Sequence, residues 1–530
     1  MASTAFNPEI EAPILDIKSD SSSSSSSDKG SYGQILKSSA LIGGAEMMNV
    51  GVRIVRTKAM AMLLGPAGFG LAGLYSSLSD LSQSIAGMGV NSSGVRQIAE
   101  AVGSGDTERI ARTVAVVRRI SLVLGIFGTV LLVVFSRQVS NLTFGTPIYG
   151  KGVALLSVCI LFRLISGAQS ALIQGMRRIA DLAKMNLMGA ILGTVLGIPL
   201  VYYFRDNGIV PYLIAVGVTA VLTSWWYSRK VDIPRPPLAF AEARHEAAAL
   251  LKLGFAFMAS GLMTIGVAYA VRIILSHKVG LQATGYYQSA WTLGGLYVGF
   301  ILQAMAADFY PRLTASIHNH GICNRLVNEQ ARVGLLLAAP GVIATLTFAP
   351  AVITVFYSAK FGASVDILRW ICLGTTLQVI TWPMGFIIVA GGRQNLFIFS
   401  EVAWAIASLI MAWTCISYFG VVGAGIAFFG SYIFHGFLIY AIVSRLTQFR
   451  WSMDNLKTGL ILLPMIAAAF CSSYLLPLFW SAVIGVLLAI ISSIHSIRTL
   501  LRLTAANESL APRIARLRYR IAYAARTLGF

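Results

Sequence analysis

The feature that most limits how this chain can fold is the recurrence of long apolar runs along almost its whole length. An α-helix needs about 20 apolar residues to cross a bilayer, whereas barrel strands would alternate polar and apolar residues. The pattern therefore predicts an all-α polytopic membrane protein. The predicted spans are 36–63, 71–93, 118–136, 150–173, 185–204, 209–227, 251–276, 285–306, 331–356, 365–390, 396–418, 422–443, 458–477 and 479–497. Only a tight break near Pro477 separates the last two, so there are either fourteen spans or twelve plus a hairpin or re-entrant piece.

The composition excludes several other classes of protein. Hydrophobic residues make up 56% of the 530 residues and charged residues only 12%, against about 25% charged in a typical soluble domain. The net charge of +20 does not indicate a nucleic-acid partner, because the bases lie mostly in loops between the apolar runs. Cysteines and histidines lack metal-ligand spacing, and nucleotide-binding and hydrolase motifs are missing, so we expect no metal, no cofactor and no catalysis.

Charge asymmetry between loops predicts the topology. Most Arg and Lys residues fall in alternate loops and in the C-terminal tail, which places both termini in the cytoplasm. A polar stretch containing Pro-Arg-Pro-Pro divides the first six spans from the next six. The predicted domains are a disordered Ser-rich tail (1–33), an N-lobe (34–227), an inter-lobe loop (228–250), a C-lobe (251–443), an extra helix pair (458–497) and a basic amphipathic tail (498–530).

The two lobes show an internal repeat. A shift of 215 residues without gaps aligns Gly51-Val52 with Gly266-Val267, Gly65 with Gly280, and Gly70 with Gly285. Six spans separate equivalent points, and because six is even the two repeats run parallel. We therefore predict two six-helix lobes related by a pseudo-two-fold axis along the membrane normal, as in several transporters.

The first predicted span carries an unexpected number of charges. Glu46, Asn49, Arg53 and Arg56 follow each other at helical spacing and share one face, with Lys58 nearer the outer end. A polar stripe on an apolar helix is expected to face a water-filled cavity or the protein interior rather than lipid. Either these residues serve such a cavity, or Glu46 only neutralises the arginines so that the helix can insert.

Other spans add polar groups at matching depth. The second span supplies several serines and Asp80, which either pairs with Arg53 or is a simple counter-charge. The seventh span, the repeat equivalent of the first, is predicted to contribute Ser260, Thr264, Tyr269 and Arg272, and the fourth adds Arg163. Bases from both lobes would form an electropositive chamber, and the guanidinium fork suits phosphate or pyrophosphate.

Three short motifs carry a resemblance to a known family: "LLGPAGFGLAGLYSSLSDL" (63–81), "GVNSSGVRQIAE" (89–100) and "DFYPRLTA" (308–315). The sequence resembles the Wzx-type polysaccharide flippases (O-antigen translocases) of the multidrug/oligosaccharidyl-lipid/polysaccharide exporter superfamily, over about residues 35–445. The resemblance implies two lobes around a cavity that opens alternately to each side of a bacterial inner membrane. It also implies Asp308 as a functional residue, although a helix cap or surface pair is the plainer interpretation.

The implied cargo is an undecaprenyl-pyrophosphate-linked oligosaccharide, moved to the periplasmic leaflet for O-antigen, exopolysaccharide or capsule synthesis. Membrane lipids, a polysaccharide polymerase and chain-length machinery are the expected partners. Three alternatives stay open: a flippase for the peptidoglycan precursor lipid II, a cation-coupled multidrug exporter, and a membrane glycan polymerase or ligase. The basic chamber argues against the exporter, and the short outer loops argue against the polymerase.

Overall fold

The computed structural model describes residues 27–233 and 240–505, and the side chains of Glu46, Ser260 and Asp308 lie outside the described part. The first half contains α1 (Ser27–Gly87), α2 (Val90–Ser104), α3 (Thr107–Val134), α4 (Ser136–Phe144), α5 (Gly150–Leu156), α6 (Val158–Gly175), α7 (Ile179–Phe204) and α8 (Ile209–Ser228). The second half contains α9 (Phe240–Lys278), α10 (Leu281–Ala315), α11 (His320–Phe356), α12 (Ser364–Ala390), α13 (Gln394–Phe419), α14 (Gly423–Thr447), α15 (Met453–Leu475) and α16 (Leu478–Ala505).

The predicted all-α membrane fold is confirmed. Among the described residues, nine helical stretches are long and apolar enough to cross a membrane, and three of them contain two predicted spans each. Several predicted boundaries were wrong. The second span ends at Gly87 rather than at residue 93, because Gly89 has a positive φ of 67° and a separate helix α2 follows it. The predicted inter-lobe loop is also too long, since α9 already begins at Phe240.

The N-terminal part of the described chain is more helical than the sequence predicted, whereas the C-terminal tail was already expected to form an amphipathic helix. Helix α1 begins at Ser27, inside the predicted Ser-rich tail, and α16 continues to Ala505, inside the predicted basic tail. The other parts of these two tails, residues 1–26 and 506–530, lie outside the described residues.

The 215-residue repeat is visible in the backbone conformation. Gly65 breaks α1 with φ 65° and ψ −175°, and Gly280, between α9 and α10, has φ 109° and ψ 173°. The same shift relates Arg205 (φ 50°, ψ −127°) to Gly420 (φ 60°, ψ −137°). It also relates α7 to α13, which have 26 residues each and begin and end at equivalent positions. The ungapped register predicted from the first two spans therefore extends deep into each lobe.

Antiparallel progression of the helices defines two ends of the molecule. Gly65 and Gly280 lie at one end, called here the Gly65 end, because each stands between two antiparallel spans of its lobe. The break at Gly89 lies at the opposite end, called the Gly89 end. The largest buried cluster lies mainly in the C-lobe and includes Leu336, Ile343, Ile367 and Leu368. This packing holds the helices that face the N-lobe in a fixed orientation.

Candidate functional site

A cavity of about 510 Å³ lies between the two lobes and is called here the central cavity. The N-lobe lines it with α1, α2 and α6, and the C-lobe lines it with α9 and α10. Its polar lining residues are Ser77, Asp80, Gln83, Ser84, Asn91, Ser92 and Arg272. These include polar residues of the second span and Arg272 of the seventh, which the sequence predicted to line a cavity. The wall of the cavity therefore carries polar side chains at a depth where the neighbouring residues of the same spans are apolar.

Arg272 is the most deeply buried charge of this cavity, with only 5% of its surface exposed. Its Nε donates to Gln288 Oε1 at 2.7 Å, and its Nη1 donates to the carbonyl oxygen of Ala268 at 2.6 Å. The guanidinium also lies 5.5 Å from the ring centroid of Tyr287. No carboxylate among the described residues lies within ion-pair distance of it, so neutral dipoles and aromatic rings hold a positive charge ready for an anion.

Asp80 and Arg163 form an ion pair across the N-lobe wall, and Arg163 also donates to Gln83 Oε1 at 2.9 Å. The expected pairing of Asp80 with Arg53 is thus wrong: α6 brings Arg163 to Asp80 instead. Equal depth in two neighbouring helices is not sufficient for contact, because the rotation of each helix about its axis also decides which side chains meet. Asp80 lies within electrostatic reach of Arg272 as well, so the described lining of the cavity holds one base and one acid, and Arg163 pairs with that acid from α6.

The bases of the first span do not line the central cavity. Arg53 is exposed, Arg56 is half-buried and lies within electrostatic reach of Tyr212 on α8, and Asn49 is half-buried. Lys58 donates its Nζ hydrogen to the carbonyl oxygen of Val355 in the C-lobe at 2.6 Å. The structure thus gives Lys58 a bond between the lobes at the Gly65 end, whereas its predicted substrate-binding role and those of Arg53 and Arg56 stay predictions.

The structure places two other predicted residues of the seventh span, Tyr269 and Thr264, in different environments. Tyr269 is buried and shares a hydrogen bond with the hydroxyl of Thr143 on α4, so it joins the lobes instead of facing a cavity. Thr264 is exposed and lines a smaller cavity inside the C-lobe. Within the described part of the chain, no group of three His, Cys, Asp or Glu side chains is placed to hold a metal ion.

Glycine contacts bring the two lobes together at both ends of the molecule. At the Gly65 end, a Cβ on Gly285 would lie 1.8 Å from the carbonyl oxygen of Pro66. At the Gly89 end, a Cβ on Gly254 would lie 2.4 Å from the carbonyl oxygen of Met88. Real carbon–oxygen contacts of this kind are about 3.3–3.6 Å. The lobes therefore approach backbone to backbone at each end only because glycine occupies these positions.

Two residues of the central cavity were missed from the sequence: Trp291, which lines it, and Gln288, which accepts the hydrogen bond of Arg272. Both lie on α10, Gln288 about two turns and Trp291 about three turns after its start, and neither differs in the sequence from an ordinary residue of a span. The repeat carried a usable signal, since Gln288 aligns with Gly73. A Cβ on Gly73 would lie 3.1 Å from Gln288 Oε1, so the small residue in one lobe leaves room for the amide of the other.

Taken together, two related helical lobes with a polar cavity and a buried base between them form the arrangement found in multi-pass membrane transporters. Similar solved structures support this fold. The lipid II flippase MurJ in an inward closed conformation has a TM-score of 0.65 at 16% identity, over 87% of this chain and 99% of that chain. An inward-facing multidrug resistance MATE family transporter has a TM-score of 0.63 at 16% identity, over 74% of this chain and 95% of that chain.

Sequence comparison identifies the family. The family model described as "Polysaccharide biosynthesis protein" matches residues 59–366, more than half of the chain. The lipid III flippases of Escherichia coli and Shigella flexneri are each 24% identical to it over 416 residues, covering 75% of this chain and 95% of theirs. The chain belongs to this family of polysaccharide biosynthesis proteins.

Proposed function

We propose that this protein is a flippase that carries an undecaprenyl-pyrophosphate-linked oligosaccharide across a bacterial inner membrane by alternating access. The Gly89 end faces the cytoplasm, together with both termini, and the Gly65 end faces the periplasm. The glycan serves the synthesis of O-antigen, exopolysaccharide or capsule, and a polymerase with its chain-length machinery uses the flipped product. The observation that carries the proposal is the buried Arg272 at the wall of the central cavity, which has no carboxylate within ion-pair distance among the described residues.

The charges of the cavity favour an anionic cargo. With Asp80 already paired to Arg163, Arg272 is left to bind the pyrophosphate, whose oxygens match the guanidinium fork. A cationic drug would find no unpaired carboxylate among the described residues that line the cavity, and this disfavours the multidrug exporter despite its similar fold. Lipid II carries the same pyrophosphate, so a lipid II flippase remains the second candidate, and cargo assays separate the two.

Substitution of Arg272 tests the proposal in a reconstituted system. A charge-assisted hydrogen bond contributes about 1.5–3 kcal/mol, so Arg272→Ala should weaken binding of polyprenyl pyrophosphate by roughly 10- to 150-fold. Arg272→Lys keeps the charge but loses the fork, and should retain part of the affinity. The measurements are the Kd of the purified full chain in nanodiscs and the flipping rate of a fluorescent glycolipid in proteoliposomes.

The matched control is Arg325→Ala, because Arg325 has a side chain that is 77% exposed, near the start of α11 and outside the residues that line the cavity. It should bind and flip as the unmodified chain does. Unchanged affinity and flipping in Arg272→Ala, with the protein folded, would refute the anionic-cargo proposal. In cells, deletion should leave the lipid-linked glycan in the cytoplasmic leaflet, whereas normal translocation with missing polymer would point to a polymerase.

A further inference from the structure

We propose that a second cavity, inside the C-lobe, binds one neutral hexopyranose ring, namely the sugar attached to the pyrophosphate of the cargo. This inference rests on the proposed function, which puts the pyrophosphate at Arg272. The second cavity, called here the C-lobe cavity, has a volume of about 210 Å³ and is formed by helices α9, α10, α12, α13 and α14. Its lining includes Trp291, Trp404, Ser408, Phe428, Ser431 and Tyr432.

Two polar groups in this lining have no hydrogen-bond partner among the residues that the structure describes. The Trp404 indole nitrogen and the Ser408 hydroxyl are buried, with the two residues 9% and 6% exposed, and neither makes a hydrogen bond among the described residues. The Ser431 hydroxyl donates to the carbonyl of Phe428 at 2.8 Å, which leaves its oxygen as an acceptor. Buried polar groups are almost always satisfied, so these unmatched donors and acceptors indicate a hydrogen-bonding ligand.

The chemistry of the wall selects a neutral, ring-shaped ligand. No charged side chain is among the residues that line the C-lobe cavity, whereas aromatic rings form much of it. Sugar rings present apolar C–H faces that pack on aromatic side chains, and hydroxyl edges that need donors and acceptors. The size also fits, because a cavity of about 150 Å³ holds a benzene ring and this one is larger.

The C-lobe cavity adjoins the phosphate position. Trp291 and Ala268 line both cavities, and Ala268 also accepts a hydrogen bond from Arg272. The guanidinium carbon of Arg272 lies 6.0 Å from the ring centroid of Trp291. A pyrophosphate on Arg272 therefore has its first sugar beside Trp291, at the entrance of the C-lobe cavity, with the remaining sugars in the larger central cavity.

A coupling cation is the main competing occupant. Glu401 lies within electrostatic reach of Tyr432 but is not among the lining residues, and His435 packs against the ring of Tyr432. A cation would need charged or convergent oxygen ligands, whereas the unsatisfied group of Trp404 is a donor and cannot ligate a cation. The orphaned donor thus favours a hydroxylated neutral ligand.

The test compares two lipids on the full chain in nanodiscs: polyprenyl pyrophosphate, and the same lipid carrying a single hexopyranose. The unmodified protein should bind the glycosylated lipid at least several-fold more tightly. Trp404→Phe keeps the ring and removes the N–H, and Ser408→Ala removes the hydroxyl. Each should lower the affinity for the glycosylated lipid by about three- to tenfold and leave the affinity for the bare lipid unchanged. Trp226→Phe, at an exposed tryptophan of α8, is the control.

The outcomes separate the two proposals. Failure of the bare lipid to bind the unmodified protein would overturn the proposed function and this inference with it. Tight binding of the bare lipid through Arg272 without any gain from the sugar would overturn only the inference and assign the C-lobe cavity to water. Equal losses for both lipids in Trp404→Phe, or a change in sodium or proton dependence instead of sugar preference, would also overturn it. Selective loss for the glycosylated lipid supports it.

Discussion

Addition of a single methyl group at Gly254 should favour separation of the two lobes at the Gly89 end. In Gly254→Ala the new Cβ would lie 2.4 Å from the carbonyl oxygen of Met88, and ordinary contact requires about 3.3 Å. The lobes must therefore separate by roughly 1 Å at this point. Because Gly254 lies within α9, alanine also improves helix propensity by about 1 kcal/mol. Any loss of closure thus comes from the contact between the lobes and not from the helix.

Overpacking of this kind typically costs about 1–3 kcal/mol. That cost applies only when the Gly89 end is closed, so it should shift the equilibrium toward opening there by roughly 5- to 160-fold. Gly285→Ala is the mirror experiment, since its Cβ would lie 1.8 Å from the carbonyl oxygen of Pro66 at the Gly65 end. It should shift the equilibrium toward opening at the opposite end.

Pulsed electron paramagnetic resonance distances between spin labels measure the shift, after replacement of the five native cysteines, which are all free. Exposed positions Ser104 and His318 report on the Gly89 end, and Asn207 and Lys360 report on the Gly65 end. Gly254→Ala should lengthen the first distance and leave the second at its original value. Both variants should flip glycolipid more slowly, because each disfavours one of the two closures that transport requires.

Two pairs of substitutions separate the effect of the contact between the lobes from the effect of the added methyl group itself. Gly266→Ala adds the same methyl group to the same helix in open space, and should behave as the unmodified chain does. Gly89→Ala, with φ 67° and a Cβ 2.0 Å from the carbonyl oxygen of Gly254, is matched by Gly105→Ala, with φ 71° and open space around it. The reasoning is refuted when Gly254→Ala and Gly266→Ala give the same distance distributions and the same transport rates.

Two further substitutions test the contacts around the cavity. Asp80→Asn removes the counter-charge of Arg163 and should tighten binding of polyprenyl pyrophosphate by about 1 kcal/mol, roughly fivefold. Release of the lipid and flipping should become slower. A binding isotherm that shows weaker affinity would contradict this prediction. Tyr269→Phe leaves the buried hydroxyl of Thr143 without its partner and should lower the free energy of unfolding by about 1–3 kcal/mol, as measured by thermal unfolding. The double variant with Thr143→Val should recover much of this loss. A double variant as unstable as Tyr269→Phe would argue against the hydrogen bond.

The sequence was sufficient to predict the parts of the fold that depend on segment length and local backbone conformation. Apolar run length located the spans, and the ungapped repeat predicted equivalent breaks that appear as Gly65 and Gly280 with similar dihedral angles. Rotation of the helices was not predictable, because apolar spans carry little amphipathic pattern when lipid and protein interior are both apolar. The partner of Asp80 therefore proved to be Arg163, 83 residues away, rather than Arg53.

The same limit explains why the C-lobe cavity was not found from the sequence. Trp404 and Ser408 lie on α13 at i and i+4, which is the spacing of any two neighbours on a helical face. Nothing in one span shows that its polar group lacks a partner, since that depends on every helix packed around it. The polar residues that could be placed were those that crowd a single span, such as Ser77, Asp80 and Ser84.

In the proposed mechanism, divergence of the repeat separates binding from gating. Arg272 donates hydrogen bonds to Ala268 and Gln288, both of which belong to the C-lobe, whereas its repeat equivalent in the N-lobe is the uncharged Thr57. The lobes are instead joined by the bond of Lys58 to Val355, by the pairing of Tyr269 with Thr143, and by glycine contacts. Opening either end breaks only these contacts between the lobes and leaves the hydrogen bonds of Arg272 within the C-lobe intact. Arg272 can therefore keep its geometry, and hold an anionic group, while the lobes separate around it.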